Sequence, residues 1–152
     1  MPAPPIDVID VGTGTGVIAS ALAELGYRVV GVDLSEEMLA QARSKVGSDR
    51  VRFDSGDAMN SPGLPEALDA IVSRHVLWTL TDPRRALDSW LRLLKRGGRV
   101  VIIDGMYGAQ PDRRLGDIVA SLPLLDISTT SEDVRVLVKE SGFVDVGLHD
   151  LA

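Results

Sequence analysis

A single doubly wound α/β domain, with a mostly parallel sheet and helices on both faces, is the fold class this sequence predicts. Three observations carry that expectation. Short β-branched runs alternate with longer amphipathic runs from Ile6 onward, the pattern of parallel strands joined by crossover helices. The strand-like runs are apolar nearly throughout, as strands covered on both faces must be. A glycine-rich turn, Gly12-Thr-Gly-Thr-Gly16, follows the first run directly, where doubly wound sheets place a ligand.

The elements follow in order. Ile6 to Val11 reads as the first strand, and Val17, Ile18, Ala21, Leu22 and Leu25 as the inner face of the first helix, stopped at Gly26. Arg28 to Val32 reads as the second strand, ending at Asp33. Ser35 caps the next helix, with Glu36 and Glu37 in the first turn, where carboxylates favour the helix dipole. Its inner face is Met38, Leu39, Ala42 and Val46. Val51 to Phe53 is the third strand, Asn60 to Pro65 a loop, and Ala70 to Ser73 the fourth strand. Asp82 and Pro83 open a helix whose stripe is Leu87, Trp90, Leu91 and Leu94. Gly97-Gly98 ends it, and Arg99 to Ile103 is the fifth strand. Leu115, Ile118, Val119 and Leu122 suggest a short helix. Thr130 to Asp133 carry a capping signal for another, over Val134, Leu137 and Val138, which stops at Gly142. The alternation of Val144, Val146 and Leu148 predicts a sixth strand. Residues 1–5 are expected to be a disordered tail and 6–152 one domain.

Composition narrows the function classes. The formal charge is −6, which argues against nucleic acid as a partner, because such binding rests on Lys and Arg neutralising phosphates. There is no cysteine, so neither a disulfide nor a thiolate metal site is available. No apolar run approaches the ~20 residues that cross a bilayer, and the N-terminus lacks the basic and apolar stretches of a signal peptide. A cytoplasmic protein without a membrane partner is expected. No His, Asp and Glu cluster has metal-ligand spacing, so no metal is expected.

The turn after the first strand reads GxGxG. A dinucleotide fingerprint needs its third glycine at position 17, which is Val17. A phosphate-binding P-loop is ruled out by the lack of a following Gly-Lys-Ser/Thr. Glycines here have the competing role of simply turning the chain.

Five segments in order then resemble one family. Val8-Ile-Asp-Val-Gly-Thr-Gly-Thr-Gly16 is similar to the first motif of class I S-adenosylmethionine-dependent methyltransferases. Val30-Gly-Val-Asp33 resembles their second-strand acidic motif, and Gly56-Asp57-Ala58 the motif after the third strand. Asp69-Ala-Ile-Val-Ser-Arg-His75 resembles the fourth-strand motif, and Leu94 to Ile103 the turn into the fifth. The resemblance implies a Rossmann-like sheet, S-adenosylmethionine as cofactor and S-adenosylhomocysteine as product. It implies that Asp33 accepts both ribose hydroxyls, a task for an acceptor-only carboxylate. Asp57 would accept from the adenine amino group, with the Ala58 N–H beside the ring and Gly56 leading in. Leu34 and Met38 would sandwich the adenine. Asp10 would lie under the methionine tail. Gly12, Thr13, Gly14 and Gly16 would let backbone approach it, with the Ser73 and Arg74 backbone on its other side. Competing structural roles are a helix start for Asp33, a turn for Asp57 and core packing for Leu34 and Met38.

His75, just past the fourth strand, is the candidate proton acceptor, with local packing as its competing role. Trp78 reads first as core and second as a pocket wall. Tyr107 and Arg74 are weaker pocket candidates, Trp90 is structural and His149 incidental. Relative to the family, helices before the first strand and an antiparallel seventh strand are expected to be absent, so the chain reads as shortened at both ends. The expected activity is methyl transfer to a small-molecule acceptor. The alternatives are a non-catalytic or truncated cofactor-binding module and, less favoured, a dinucleotide-dependent oxidoreductase. A homodimer through an exposed sheet edge is a further expectation.

Overall fold

A computed structural model describes residues 6–104 and 130–149. Five strands form one sheet: β1 (Asp7–Val11), β2 (Arg28–Asp33), β3 (Val51–Ser55), β4 (Leu68–Arg74) and β5 (Leu94–Ile103). Among the described residues four helices accompany them: α1 (Val17–Glu24), α2 (Glu36–Lys45), α3 (Pro83–Leu93) and α4 (Ser131–Glu140). The strand order is β3-β2-β1-β4-β5, and every pairing is parallel. The chain winds outward from β1 in one direction through β2 and β3, then in the other through β4 and β5. The reversal lies between β1 and β4, where Val11 pairs Ser73.

Strand alternation divides the core into two layers. Val8, Val29, Val51, Phe53, Ala70 and Val72 pack with Ala19, Ala23, Leu39 and Ala42 of α1 and α2. Ile9, Val11, Val32 and Ile71 pack on the other face with Leu87, Trp90 and Leu93 of α3 and Val138 of α4. Helices start where the sequence marks them. The Ser35 hydroxyl accepts from Met38 N–H, Asp82 caps α3 ahead of Pro83, and Thr130 and Asp133 form a reciprocal capping box.

Several expectations are corrected. In α1 the buried residues are Ala19 and Ala23, while Val17 and Leu25 are exposed. Apolar residues ring this helix, so spacing alone does not choose a face, and small alanines allow the closest approach to the sheet. Met38 is likewise exposed, leaving Leu39 and Ala42 as the inward residues of α2. Helix α3 ends at Leu93, before Gly97-Gly98; Leu94 already pairs Leu68, and the register resumes only at Ala70 with Arg99. The glycines therefore sit in an irregularity inside β5, with Gly97 at φ 76. Leu91 is exposed, and Ala86 and Leu93 complete the stripe with Leu87 and Trp90. The predicted sixth strand is absent: residues 143–149 form no strand, Val144 is 83% exposed and Asp145 takes a left-handed φ of 53 that breaks the extended run. Strands β3 and β4 are longer than expected, and a single helical turn at Ala58–Asn60 occupies part of the loop. The expected tail at 1–5, the helix around 115–122 and Tyr107 lie outside the described residues.

Candidate functional site

Parallel strands deliver their C-terminal ends to one rim, and the crevice outside a reversal of strand order is where such sheets take ligands. Asp10, Asp33 and Asp57 reach that same rim from β1, β2 and the segment after β3, joined by Ser73, Arg74 and His75 from β4.

The turn after β1 is built from glycines with left-handed backbone: φ is 71 at Gly12, 55 at Gly14 and 77 at Gly16. Their surroundings differ. An added Cβ at Gly12 would lie 2.1 Å from Val76 Cγ2, and at Gly16 2.6 Å from the Phe53 ring. At Gly14 it would meet nothing within 4 Å among the described residues. Two of the glycines thus serve close packing, while Gly14 fronts open space. Gly12 and Thr13 N–H groups donate to the Val32 carbonyl at 2.8 and 3.0 Å, lashing the turn to β2.

Asp33 ends β2 with both carboxylate oxygens engaged. Oδ2 accepts from Gly14 N–H at 2.8 Å and Oδ1 from Ser35 N–H at 2.9 Å. Beside it, Leu34 is 71% exposed and Met38 42% exposed. The core reading of these two is thereby corrected: they are apolar side chains left on the surface. Asp57 begins the turn after β3, its Oδ1 accepting from Met59 N–H at 2.8 Å. Gly56 N–H donates to the Asp33 carbonyl at 3.0 Å, and the buried Trp90 donates its indole N–H to the Ala58 carbonyl at 3.0 Å. Helix α3 thereby fixes the segment carrying Asp57 from behind.

Asp10 is 2% exposed. Burial drives its carboxyl above the ordinary range; the Thr13 hydroxyl, which donates to it at 2.7 Å, and the Ala19 N–H oppose that rise, and the nearby Asp33 charge adds to it. An acid kept there at such cost is unusual without a partner for its charge. Ser73 is also buried, and its hydroxyl meets no partner within the described residues. Arg74 is exposed at the rim.

His75 turns out of β4 with a left-handed φ of 57 and donates its N–H to the Ile103 carbonyl at 2.9 Å. Backbone of this kind in a non-glycine residue is sparsely populated and concentrates at functional sites. Asp104, one residue beyond β5, was not anticipated. Burial raises its carboxyl, while the His75 charge and the N–H groups of His75 and Val76 pull it back. The rule that singled out Asp33, an acid at a strand's C-terminal end, applies to Asp104 equally. Trp78 is 42% exposed, so it belongs to the surface and not to the core. Among the described residues no group of three or more His, Asp or Glu could hold a metal, and no helix is long and apolar enough to cross a membrane.

Comparisons with known proteins agree in kind. Residues 9–102 match the family described as "Methyltransferase domain". A demethylmenaquinone methyltransferase of Clavibacter sepedonicus is 41% identical over 98 residues, covering 64% of this chain and 40% of its own length. An arsenite methyltransferase of Halobacterium salinarum is 30% identical over 149 residues, covering 93% of this chain and 38% of its own. Among solved structures, a phosphoethanolamine N-methyltransferase 2 of Haemonchus contortus, in complex with S-adenosyl-L-methionine, superposes with a TM-score of 0.79 at 28% identity. That match covers 95% of this chain and 34% of that one. The chain spans about two fifths of the length of these curated relatives.

Proposed function

The chain belongs to the class I S-adenosylmethionine-dependent methyltransferase family, and from that membership we propose that its crevice binds S-adenosylmethionine and presents it to a small-molecule methyl acceptor. The observation that carries this is the open space fronting Gly14, directly beside the Asp33 carboxylate that holds its N–H.

The residues present fit the group. A carboxylate oxygen has two lone pairs, so Asp33 retains acceptor capacity for ribose hydroxyls after taking Gly14 and Ser35 N–H. Asp57 Oδ2 takes no hydrogen bond within the described residues, and it suits the adenine amino group. The exposed Leu34 and Met38 offer apolar surface to the ring. The methionine tail carries an ammonium, and the buried Asp10 is short of positive charge. Gly56, Ala58, Thr13 and the Ser73–Arg74 backbone complete the proposed cofactor set.

When bound, S-adenosylmethionine supplies a methyl group activated by its sulfonium. The chain's share is then alignment and exclusion of water. His75 stands at the end of β4 to hold a proton where the acceptor must lose one. A small-molecule acceptor is supported by the relatives, whose names specify demethylmenaquinone and arsenite.

Calorimetric titration tests the proposal. S-adenosylmethionine and S-adenosylhomocysteine should bind and NAD should not. Binding of NAD alone would return the oxidoreductase alternative. Cofactor binding with no turnover across a panel of quinol, arsenite and amine acceptors would favour a cofactor-binding module.

A further inference from the structure

We propose that Arg43 guards an open edge of the sheet: it occupies the central carbonyl of a self-complementary strand, β3, and so keeps a second copy of this chain from pairing there. Strand β3 ends the order β3-β2-β1-β4-β5, and among the described residues no strand lies on its outer side. Its backbone orientation follows from its two ends. Val29 N–H donates to the Arg50 carbonyl at 2.8 Å, and Gly56 N–H donates to the Asp33 carbonyl at 3.0 Å. Successive residues of a strand turn their backbone groups to opposite sides. Arg50, Arg52, Asp54 and Gly56 therefore face β2, while Val51, Phe53 and Ser55 direct their N–H and C=O groups outward. A row of outward groups is a template for a further strand.

The edge matches its own reverse. Two copies joined antiparallel about Phe53 would set Phe53 opposite Phe53, Val51 opposite Ser55 and Arg52 opposite Asp54. The outward groups of Val51, Phe53 and Ser55 would carry the hydrogen bonds. Arg52 and Asp54, two residues apart on one face of β3, already pair with each other at 3.0 Å. Across the seam they would form the non-hydrogen-bonded kind of pair, in which opposed side chains come closest, and opposite charges so placed favour pairing. Arg43 opposes it. Its guanidinium reaches from α2 and donates to the Phe53 carbonyl at 2.9 Å, at the centre of that register. Glu36, on the same helix, accepts from the same guanidinium at 2.9 Å and holds it in place. Pairing would displace Arg43 from the carbonyl and bring two such guanidinium groups together at the axis. A charged side chain on an edge strand is a known means of keeping copies apart.

The test reads amide hydrogen exchange by NMR in the full chain, dilute and concentrated, with sedimentation velocity on the same samples. In the unmutated chain the Val51, Phe53 and Ser55 amides should exchange at one rate at both concentrations. In Arg43→Ala those three should slow by about tenfold or more on concentration, as the sedimenting mass doubles. The Arg52 and Asp54 amides, which face β2, should not follow them. Arg43→Met, which keeps the aliphatic stem without the charge, should behave as Arg43→Ala does. Adding Arg52→Asp to Arg43→Ala sets like charges across the seam and should abolish the slowing; adding Asp54→Arg as well should restore it. The proposal is overturned if the unmutated chain already shows the slowing, a measurement that decides even where a variant does not fold. It is equally overturned if neither Arg43 variant shows it, if the mass doubles while the three amides stay unchanged, or if the slowing survives Arg52→Asp.

Discussion

The Asp33 carboxylate accepts the Gly14 N–H at 2.8 Å, which makes the acid ending β2 and the turn ending β1 one hydrogen-bonded unit. The same side chain accepts Ser35 N–H at 2.9 Å. Asp33→Ala therefore removes a proposed ribose acceptor and the tether of the glycine turn together. Hydrogen bonds to a charged group contribute about 1.5–3 kcal/mol, so affinity for S-adenosylhomocysteine should fall about 10- to 100-fold by calorimetry. Ser35→Ala is the matched control. It deletes the hydroxyl that accepts Met38 N–H and should cost about 1 kcal/mol of stability, with affinity unchanged because its own N–H remains. Equal affinity in Asp33→Ala and the parent would remove the ribose assignment.

Gly14 and Gly16 should separate binding from folding. Both have left-handed φ, so alanine at either carries a conformational cost of about 1–2 kcal/mol. At Gly14 no described residue lies within 4 Å of the new methyl, so packing adds nothing to that cost among them, but the methyl projects into the proposed ligand space. At Gly16 the methyl would lie 2.6 Å from Phe53 and 3.0 Å from Ala42, inside the core under α2. Gly14→Ala should fold with a modest loss in thermal unfolding and bind S-adenosylhomocysteine at least tenfold more weakly. Gly16→Ala should unfold at a markedly lower temperature. The reverse order of melting temperatures would contradict the packing described.

The parts of the molecule that could be read from sequence are those fixed by local chemistry. Strand starts, the caps at Ser35, Asp82 and Thr130, and the acids at Asp10, Asp33 and Asp57 all declare themselves through residue type and neighbours. What could not be read depends on tertiary partners. In α1, Ala19 and Ala23 face inward although Val17 and Leu25 are more hydrophobic, because closeness to the sheet decides and spacing does not. Alternation at Val144, Val146 and Leu148 describes a strand only where a neighbouring strand pairs with it, and Asp145 turns the chain instead. Asp104 follows β5 much as Asp33 closes β2, but only the register of β5 on β4 places it beside His75.

Leu34 and Met38 against Leu39 offer a second contrast between site and core. Leu34 and Met38 are 71% and 42% exposed, whereas Leu39 is 0% exposed in the layer beneath α2. Leu39→Ala should cost about 2–5 kcal/mol of stability. Leu34→Ser and Met38→Ser should change stability by about 0.5 kcal/mol or less, the scale for surface positions. If the two side chains cover an adenine ring, the pair of serine substitutions should still weaken S-adenosylhomocysteine binding severalfold. Denaturant unfolding and calorimetry on the same samples read both effects, and an unchanged affinity would leave the pair as ordinary surface.

Asp10 sets a pH dependence whose sign can be worked out. Burial is the main cause that holds its folded carboxyl above the ordinary value of 3.8, against the opposing bonds from Thr13 and Ala19. Between 3.8 and that raised value the native chain keeps a proton that the unfolded chain has lost. Stability from this group therefore falls as pH rises through the window and is level above it. Asp104 is raised in the same direction, again chiefly by burial. The half-buried Asp7 and Asp69 act oppositely: their carboxyls are lowered by hydrogen bonds with Arg28 and with the Asp7 backbone, so their contribution is lost only as pH falls below 3.8. Asp10→Asn keeps an acceptor for Thr13 or Ala19 but cannot ionise. Its stability relative to the parent should grow as pH rises from 3.8 and then level off, measured by urea unfolding across a pH series. A flat difference would show that Asp10 titrates alike in both states. The same variant should bind S-adenosylhomocysteine less tightly at neutral pH, because the tail ammonium would lose a charged partner. Greater stability joined to weaker binding is the combination expected of a buried acid retained for a ligand and not for the fold.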